Sequence, residues 1–408
     1  MANSRRAKGE GTVRQRSDGL WEAREPPEGV PFGEKPRSFY AKSKSEAVRK
    51  LREFLREREQ GLSTEVDKLT IGQYLERWVE GPLRESVSPK TRDDYAWICR
   101  KHLIPAIGRM KLKKLTAEHL DDLYAHKVRE GLSPRTVGYI HATIRVALQR
   151  AVKKRLIPFN VARDADPPTR SQDDEDEKLT LSSAELAAFF KAAAEAENRF
   201  EALFIVGALS GPRPQELLGL KWPDFTLPDA LGTPSEMRLV RKVSMSSEGL
   251  KIVEGLKGSK GRKKKRRTVY LLPEAVAALK AHRRRYLEER MRRAEKWEET
   301  WAKEPKARDL VFPSETGGPM NRNNLLKRDF KPLAKAAGLP GEATLYTLRH
   351  TFATLWLESG ENPKVLQEIL GHSRIDVTLN VYSHVLPHIQ QDAMDRFGQR
   401  FFGPSGSS

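Results

Sequence analysis

Residues 370–384 read LGHSRIDVTLNVYSH, and this stretch decides how the rest of the 408-residue chain is read. It brings a histidine, His372, and a hydroxyl nucleophile, Tyr382, together late in the sequence. Ser373 is placed to cap a helix whose third residue is Asp376, close to a capping box. The apolar Ile375, Val377, Leu379 and Val381 surround the polar positions. His372 then stands at a helix mouth, with Tyr382 about two and a half turns on. A phenol ionises near pH ~10, so a nucleophilic Tyr382 needs cationic help from elsewhere.

Three other stretches carry cations suited to that task. In SGPRPQELLGLKW, residues 210–222, Arg213 lies where a helix begins. Pro212 and Pro214 are tolerated there because the first helical N–H groups have no intrahelical partner. Pro214 also disfavours helical geometry at Arg213, which puts Arg213 at the cap, beside N–H groups that attract an anion. The plainer reading is a surface arginine paired with Glu216. In YTLRH, residues 346–350, Tyr346, Arg349 and His350 share one helix face, while Leu345, Leu348, Phe352 and Leu355 look inward. A structural ion pair is the competing account of Arg349. In LKGSKGRKKKRR, residues 256–267, a basic loop joins strand-like pieces at Met237–Val243 and Thr268–Leu272. Such a loop can bring a lysine into a groove and hand a proton to an oxygen there. Most of its charges must simply neutralise phosphates.

Composition agrees with a polyanionic partner. Lys and Arg total 74 against 55 Asp and Glu, a net charge of +19, and nucleic acid fits this better than a membrane. No run approaches the ~18 apolar residues of a membrane span, and MANSRRAKGEG lacks the apolar core of a signal peptide, so a cytoplasmic location is expected. The single cysteine, Cys99, excludes an intramolecular disulfide and argues against a thiolate metal cage.

The length predicts two or three domains. Residues 1–63 contain strand-like pieces at Gly11–Val13, Gly19–Arg24 and Arg37–Ala41, then a Ser-capped helix from Ser43 to Gln60, giving a small three-stranded sheet plus one helix. Residues 66–165 read as a helical bundle, with Ser88-Pro89 and Ser133-Pro134 as N-cap followed by proline. Residues 166–178 form an acidic linker, since Pro167-Pro168 cannot continue a helix and Asp173 to Glu177 repel one another. Residues 179–395 read as mostly helix with a small sheet, and 396–408 as a tail. Within them RRRYLEERMRRAEKWEETWAKE, residues 283–304, reads most simply as a solvated charged helix.

Two arginines, a lysine, two histidines and a late tyrosine are the parts for phosphodiester chemistry without metal. SGPRPQELLGLKW, the lysine-bearing loop, YTLRHTFAT and LGHSRIDVTLNVYSH follow one another over residues 179–395, and in this the chain resembles the tyrosine recombinases, or phage-type integrases. The resemblance implies a multidomain, mainly α fold with small β-sheets. Its parts are a tyrosine-recombinase catalytic domain at 179–395, a helical SAM-like core-binding domain at 66–165, and an arm-type DNA-binding domain at 1–63. It implies a site-specific DNA recombinase that needs neither metal, ATP nor another cofactor. Tyr382 is then the nucleophile forming a 3′-phosphotyrosyl link, Arg213 and Arg349 hold the non-bridging oxygens, His372 donates a hydrogen bond to the phosphate, and Lys257 protonates the leaving oxygen. The implied partners are double-stranded DNA attachment sites, further copies of the chain in a tetramer on DNA, and accessory DNA-bending or directionality proteins, in the nucleoid.

The sequence departs from the family pattern in three places. Tyr346 stands where most members carry histidine, and a phenol is a poor base at neutral pH, so His350 one turn away is an alternate. Prolines flank Arg213. The segment KGSKGR favours Lys257 as the acid, counting back from Thr268 favours Lys263, and Lys260 lies between them. Two rival readings follow: a DNA-binding protein of this fold that has lost turnover, and a related tyrosine enzyme such as a type IB topoisomerase or a resolvase of replicon dimers.

Overall fold

Glycine and serine punctuation sets the first elements. The computed structural model describes residues 11–27, 30, 35–59, 68–169, 179–228, 233–256, 265–374 and 394, in two units, Met1–Asp174 and Glu175–Ser408. Strands β1 (Thr12–Gln15), β2 (Trp21–Arg24) and β3 (Ser38–Ala41) pair antiparallel in chain order. The β1–β2 turn closes with Gly19 at φ +83°, a conformation glycine reaches without steric cost. Helix α1 (Lys44–Glu59) starts where the Glu46 amide donates to Ser43 Oγ, and its Ala47 and Leu51 bury against Ala23 and Ala41 of the sheet.

The helical part of this unit comprises α2 (Ile71–Glu80), α3 (Pro82–Ser86), α4 (Pro89–Ile98), α5 (Ile104–Ile107), α6 (Ala117–Arg129) and α7 (Pro134–Lys153). Ser88 and Ser133 accept the amides of Thr91 and Thr136, with Pro89 and Pro134 at the first helical positions. Leu75, Trp78, Leu103, Tyr124, Ile144 and Leu148 form the core, and Tyr74 donates its hydroxyl to the Ala147 carbonyl at 2.6 Å. Between α4 and α5 the backbone widens into a π-turn, Cys99–Leu103. Pro105 follows, lacking an N–H and crowding the carbonyl four residues back, and the wider turn makes room for it.

In the second unit come α8 (Ser183–Glu195), α9 (Glu201–Ser210), α10 (Pro214–Leu217), β4 (Phe225–Thr226), β5 (Glu236–Leu239), β6 (Arg241–Ser246), β7 (Gly249–Glu254) and β8 (Arg267–Tyr270). Then follow α11 (Pro273–Arg292), α12 (Ala294–Lys303), α13 (Arg322–Asn324), α14 (Lys331–Ala336), α15 (Leu345–Glu358) and α16 (Pro363–Leu370). A second π-turn, Leu325–Phe330, again precedes a proline, Pro332. The apolar α9 packs against α11 and α15, and Phe189, Phe204 and Phe330 meet with ring centroids 5.0 to 5.8 Å apart. Among the described residues no helix is long and apolar enough to cross a membrane.

Two local expectations change. The strand-like piece Met237–Val243 is two strands broken at Val240: β5 pairs with β8 (Leu239 opposite Arg267), and β6 pairs with β7 (Arg241 opposite Glu254). The basic stretch therefore leaves from the end of β7, and its ends are drawn together where the Leu256 amide donates to the Lys265 carbonyl at 3.1 Å. The charged stretch 283–304 is not a solvated helix. It breaks at Arg293, and α12 buries Trp297 and Trp301, whose indole N–H groups donate to the carbonyls of Glu315 and Gly317. Arg290 and Arg308 stack on the Trp301 ring at 4.9 and 5.2 Å, so arginines that look like solvent-facing charge cover an aromatic.

Candidate active site

Helix α9 ends at Gly211, whose φ of +66° is left-handed. A Cβ there would meet the Phe352 ring at 2.5 Å and Leu370 at 2.9 Å, so only glycine lets the chain turn against α15 and α16. Arg213 then caps α10 in an extended conformation, φ −70° and ψ 145°, as the following Pro214 demands. Glu216, in the first turn of α10, reaches back to accept the Arg213 amide at 3.0 Å and Arg213 Nη1 at 3.1 Å. The two competing readings of Arg213 are both realised: it is a cap residue and it is paired with Glu216.

Arg349 projects from α15 and is buried. Its Nη1 donates to the Gly211 carbonyl at 2.6 Å and its Nη2 to the Leu370 carbonyl at 2.8 Å, with His372 Nε2 2.9 Å from the same Nη2. Because the guanidinium can only donate, His372 Nε2 is the acceptor in this contact. His372 is fixed by its backbone as well, its amide donating to the Gln367 carbonyl while Gln367 Nε2 donates to the His372 carbonyl, both at 3.1 Å. The Leu370 carbonyl also accepts Arg213 Nη1 at 3.4 Å. The last turn of α16, whose carbonyls have no helical partner and carry the negative end of the dipole, is thus where Arg213, Arg349 and His372 come together.

Burial pushes the Glu216 carboxyl up, but the Arg267 hydrogen bond and the Arg267 and Arg213 charges outweigh it, and the group is held below the usual carboxylate range. Tyr346 and His350 lie one turn apart on α15, ring centroids 6.5 Å apart. Tyr382, Lys257, Lys260 and Lys263 lie outside the described residues. Sequence reasoning missed Arg267, which donates Nη2 to Glu216 Oε2 at 2.7 Å and Nε to the Ile369 carbonyl at 2.6 Å. Its charge does not distinguish it within KKKRR; its position as the first residue of a strand does.

Residues 180–388 match the profile of the Phage integrase family, and residues 70–128 that of the Phage integrase N-terminal SAM-like domain. A "Tyrosine recombinase XerC-like" protein of Caldanaerobacter subterraneus subsp. tengcongensis is 27% identical over 373 residues, spanning 90% of this chain and 92% of its own. An integrase of Streptomyces ambofaciens is 29% identical over 374 residues, 89% of each chain. Two solved structures share the fold. The Tn1549 transposon integrase in complex with a circular intermediate DNA matches with a TM-score of 0.61 at 20% identity, over 81% of this chain and 99% of that one. A lambda integrase dimer bound to a COC' core site matches with a TM-score of 0.51 at 16% identity, over 93% and 96%. With the arginines and histidine of its motifs gathered at one helix end and its sequence matching the family over half its length, the chain belongs to the phage integrase family and is a site-specific recombinase of the tyrosine type.

Proposed function

We propose that Tyr382 is the nucleophile and that Arg213, Arg349 and His372 form the phosphate cradle it works against. Tyr382 Oη attacks the scissile phosphorus, the P–O5′ bond breaks, and the DNA 3′ end is left as a phosphotyrosine while a 5′-hydroxyl departs. Arg213 and Arg349 neutralise the non-bridging oxygens as charge builds on them. His372 adds a hydrogen bond to the same phosphate, and Lys257 gives the departing oxygen its proton, with Lys260 and Lys263 as alternates. On the α15 face, Tyr346 contributes a phenol hydrogen bond and His350 is the group able to take the proton of Tyr382. Attack by a second 5′-hydroxyl reverses the sequence and rejoins the strands. The phosphotyrosine conserves the bond, so no nucleotide hydrolysis enters the balance.

What supports this reading above all is the shared Leu370 carbonyl, which ties Arg213, Arg349 and the His372 turn into one cationic cluster. Residues 66–165 act as the core-binding domain and residues 1–63 as the arm-type domain, on double-stranded DNA attachment sites, with the chain assembling as a tetramer and working with accessory bending or directionality proteins in the cytoplasm at the nucleoid. The test is incubation with a nicked half-site followed by a denaturing gel. Wild type is expected to give a covalent adduct that Tyr382→Phe abolishes, and Arg349→Ala to slow its formation by about 100- to 1,000-fold. Absence of any adduct on the cognate site refutes the proposal.

A further inference from the structure

Arg267 is the third arginine of this site and has no part in the roles above. Its side chain, 10% exposed, leaves the first residue of β8 and grips two acceptors. Nη2 holds one oxygen of Glu216, whose other oxygen holds Arg213. Nε holds the Ile369 carbonyl, one residue before the Leu370 carbonyl that Arg213 and Arg349 share. A guanidinium presents its donors in a rigid planar fork, which fixes two acceptors relative to one another as an ammonium cannot. The turn into His372 is shaped around this fork, since a Cβ on Gly371 would meet Arg267 Nη1 at 2.9 Å. Among the described residues Nη1 itself has no hydrogen-bond partner although it is buried, so this donor costs stability rather than adding to it.

We infer that Arg267 is a positioning residue for strand cleavage, orienting Arg213 through Glu216 and the His372 turn through the Ile369 carbonyl. Without it, Glu216 faces a single guanidinium and draws Arg213 onto the carboxylate, away from an incoming phosphate. The last turn of α16 loses one of its three arginine tethers at the same time. The inference rests on the recombinase reading and adds to it a contact between strand β8 and the phosphate cradle.

The test uses the full-length protein and saturating nicked half-site DNA, reading the single-turnover rate of adduct formation and, separately, half-site affinity. Arg267→Met is expected to slow cleavage on the order of 10- to 100-fold, the scale on which a small misplacement of a preorganised group acts, while affinity stays within about threefold. Because the residue acts through Glu216, the Arg267→Met/Glu216→Gln double variant is expected to cleave no slower than the slower single variant. A merely structural role gives losses that multiply and that track the melting temperature. Arg267→Lys is expected to restore folding but not rate, and it takes the place of Arg267→Met in the cycle should the latter fail to fold. Wild-type cleavage by the Arg267 variants, or multiplicative losses, overturns the inference alone. A wild type that forms no adduct overturns the recombinase reading and the inference together.

Discussion

A carboxyl with 2% of its side chain exposed ordinarily takes up a proton, yet Glu216 stays ionised because two guanidiniums face it. His282 shows the opposite outcome of burial. Its Nε2–H donates to the Val311 carbonyl at 2.7 Å and Trp222 stacks on the ring. Burial first, and the Arg285 and Arg199 charges after it, lower its pKa to about 4 against the opposing Val311 bond. In the unfolded chain the imidazole titrates near ~6.5, so the unfolded state binds the proton first and stability rises with pH across this window. The contribution is complete above about 6.5 and is lost as pH falls toward about 4, amounting to about 3 kcal/mol. Urea denaturation at a series of pH values is expected to show this slope in wild type and a flatter one in His282→Phe. Equal slopes would refute the assignment.

Helices α11 and α12 form a corner whose inner surface is aromatic. Trp297 lies 5.4 Å from Tyr286 and 5.7 Å from Trp301, and Gly317 at φ +80° passes so close that a Cβ would meet the Trp297 ring at 2.7 Å. Trp301→Ala is expected to cost about 3 to 5 kcal/mol, as large-to-small changes of buried aromatics do, and to lower the melting temperature accordingly. A loss below about 1 kcal/mol would mean that the corner collapses around the missing ring. Elements of this kind mark the limit of what the sequence discloses. Helices with a local start signal were legible: Ser43 opens α1, and Ser88 and Ser133 cap α4 and α7. Arg213, Arg349 and His372 were legible because their motifs are short and ordered, and the structure brings them together. The β6–β7 hairpin was not, because its turn at Ser247-Glu248 lacks an Asn-Gly or Asp-Gly pair, and Gly249 at φ +92° supplies the reversal from one residue later. Burial of Trp297 and Trp301, like that of Arg267, depends on partners far along the chain, and no window of local sequence contains them.

At the scale of the whole chain, a surplus of 19 positive charges is distributed over both units, from α1, with Lys44, Arg49, Arg52 and Arg56 lining one surface, to the basic run ending at Arg267. Each phosphate neutralised releases counterions, so affinity for arbitrary duplex is expected to fall linearly on a log–log scale with salt. Between about 50 and 200 mM the loss is expected to reach about 10³-fold if six or more phosphates are contacted. Fluorescence anisotropy with a labelled duplex measures the slope, and a flat response would remove phosphate contact as the basis of binding. The broken strand pair has a consequence of another order. Val240 accepts the Gly255 amide at 2.7 Å and Leu256 is tied to Lys265, so both ends of the intervening segment are pinned independently of how many residues lie between them. Lengthening that segment costs only a slowly growing loop-closure entropy and leaves the pairing register of β5 with β8 untouched. Its length can therefore change in a laboratory library that keeps the proposed acid lysine, Lys257 or its alternates Lys260 and Lys263, while the paired strands beneath it stay the same.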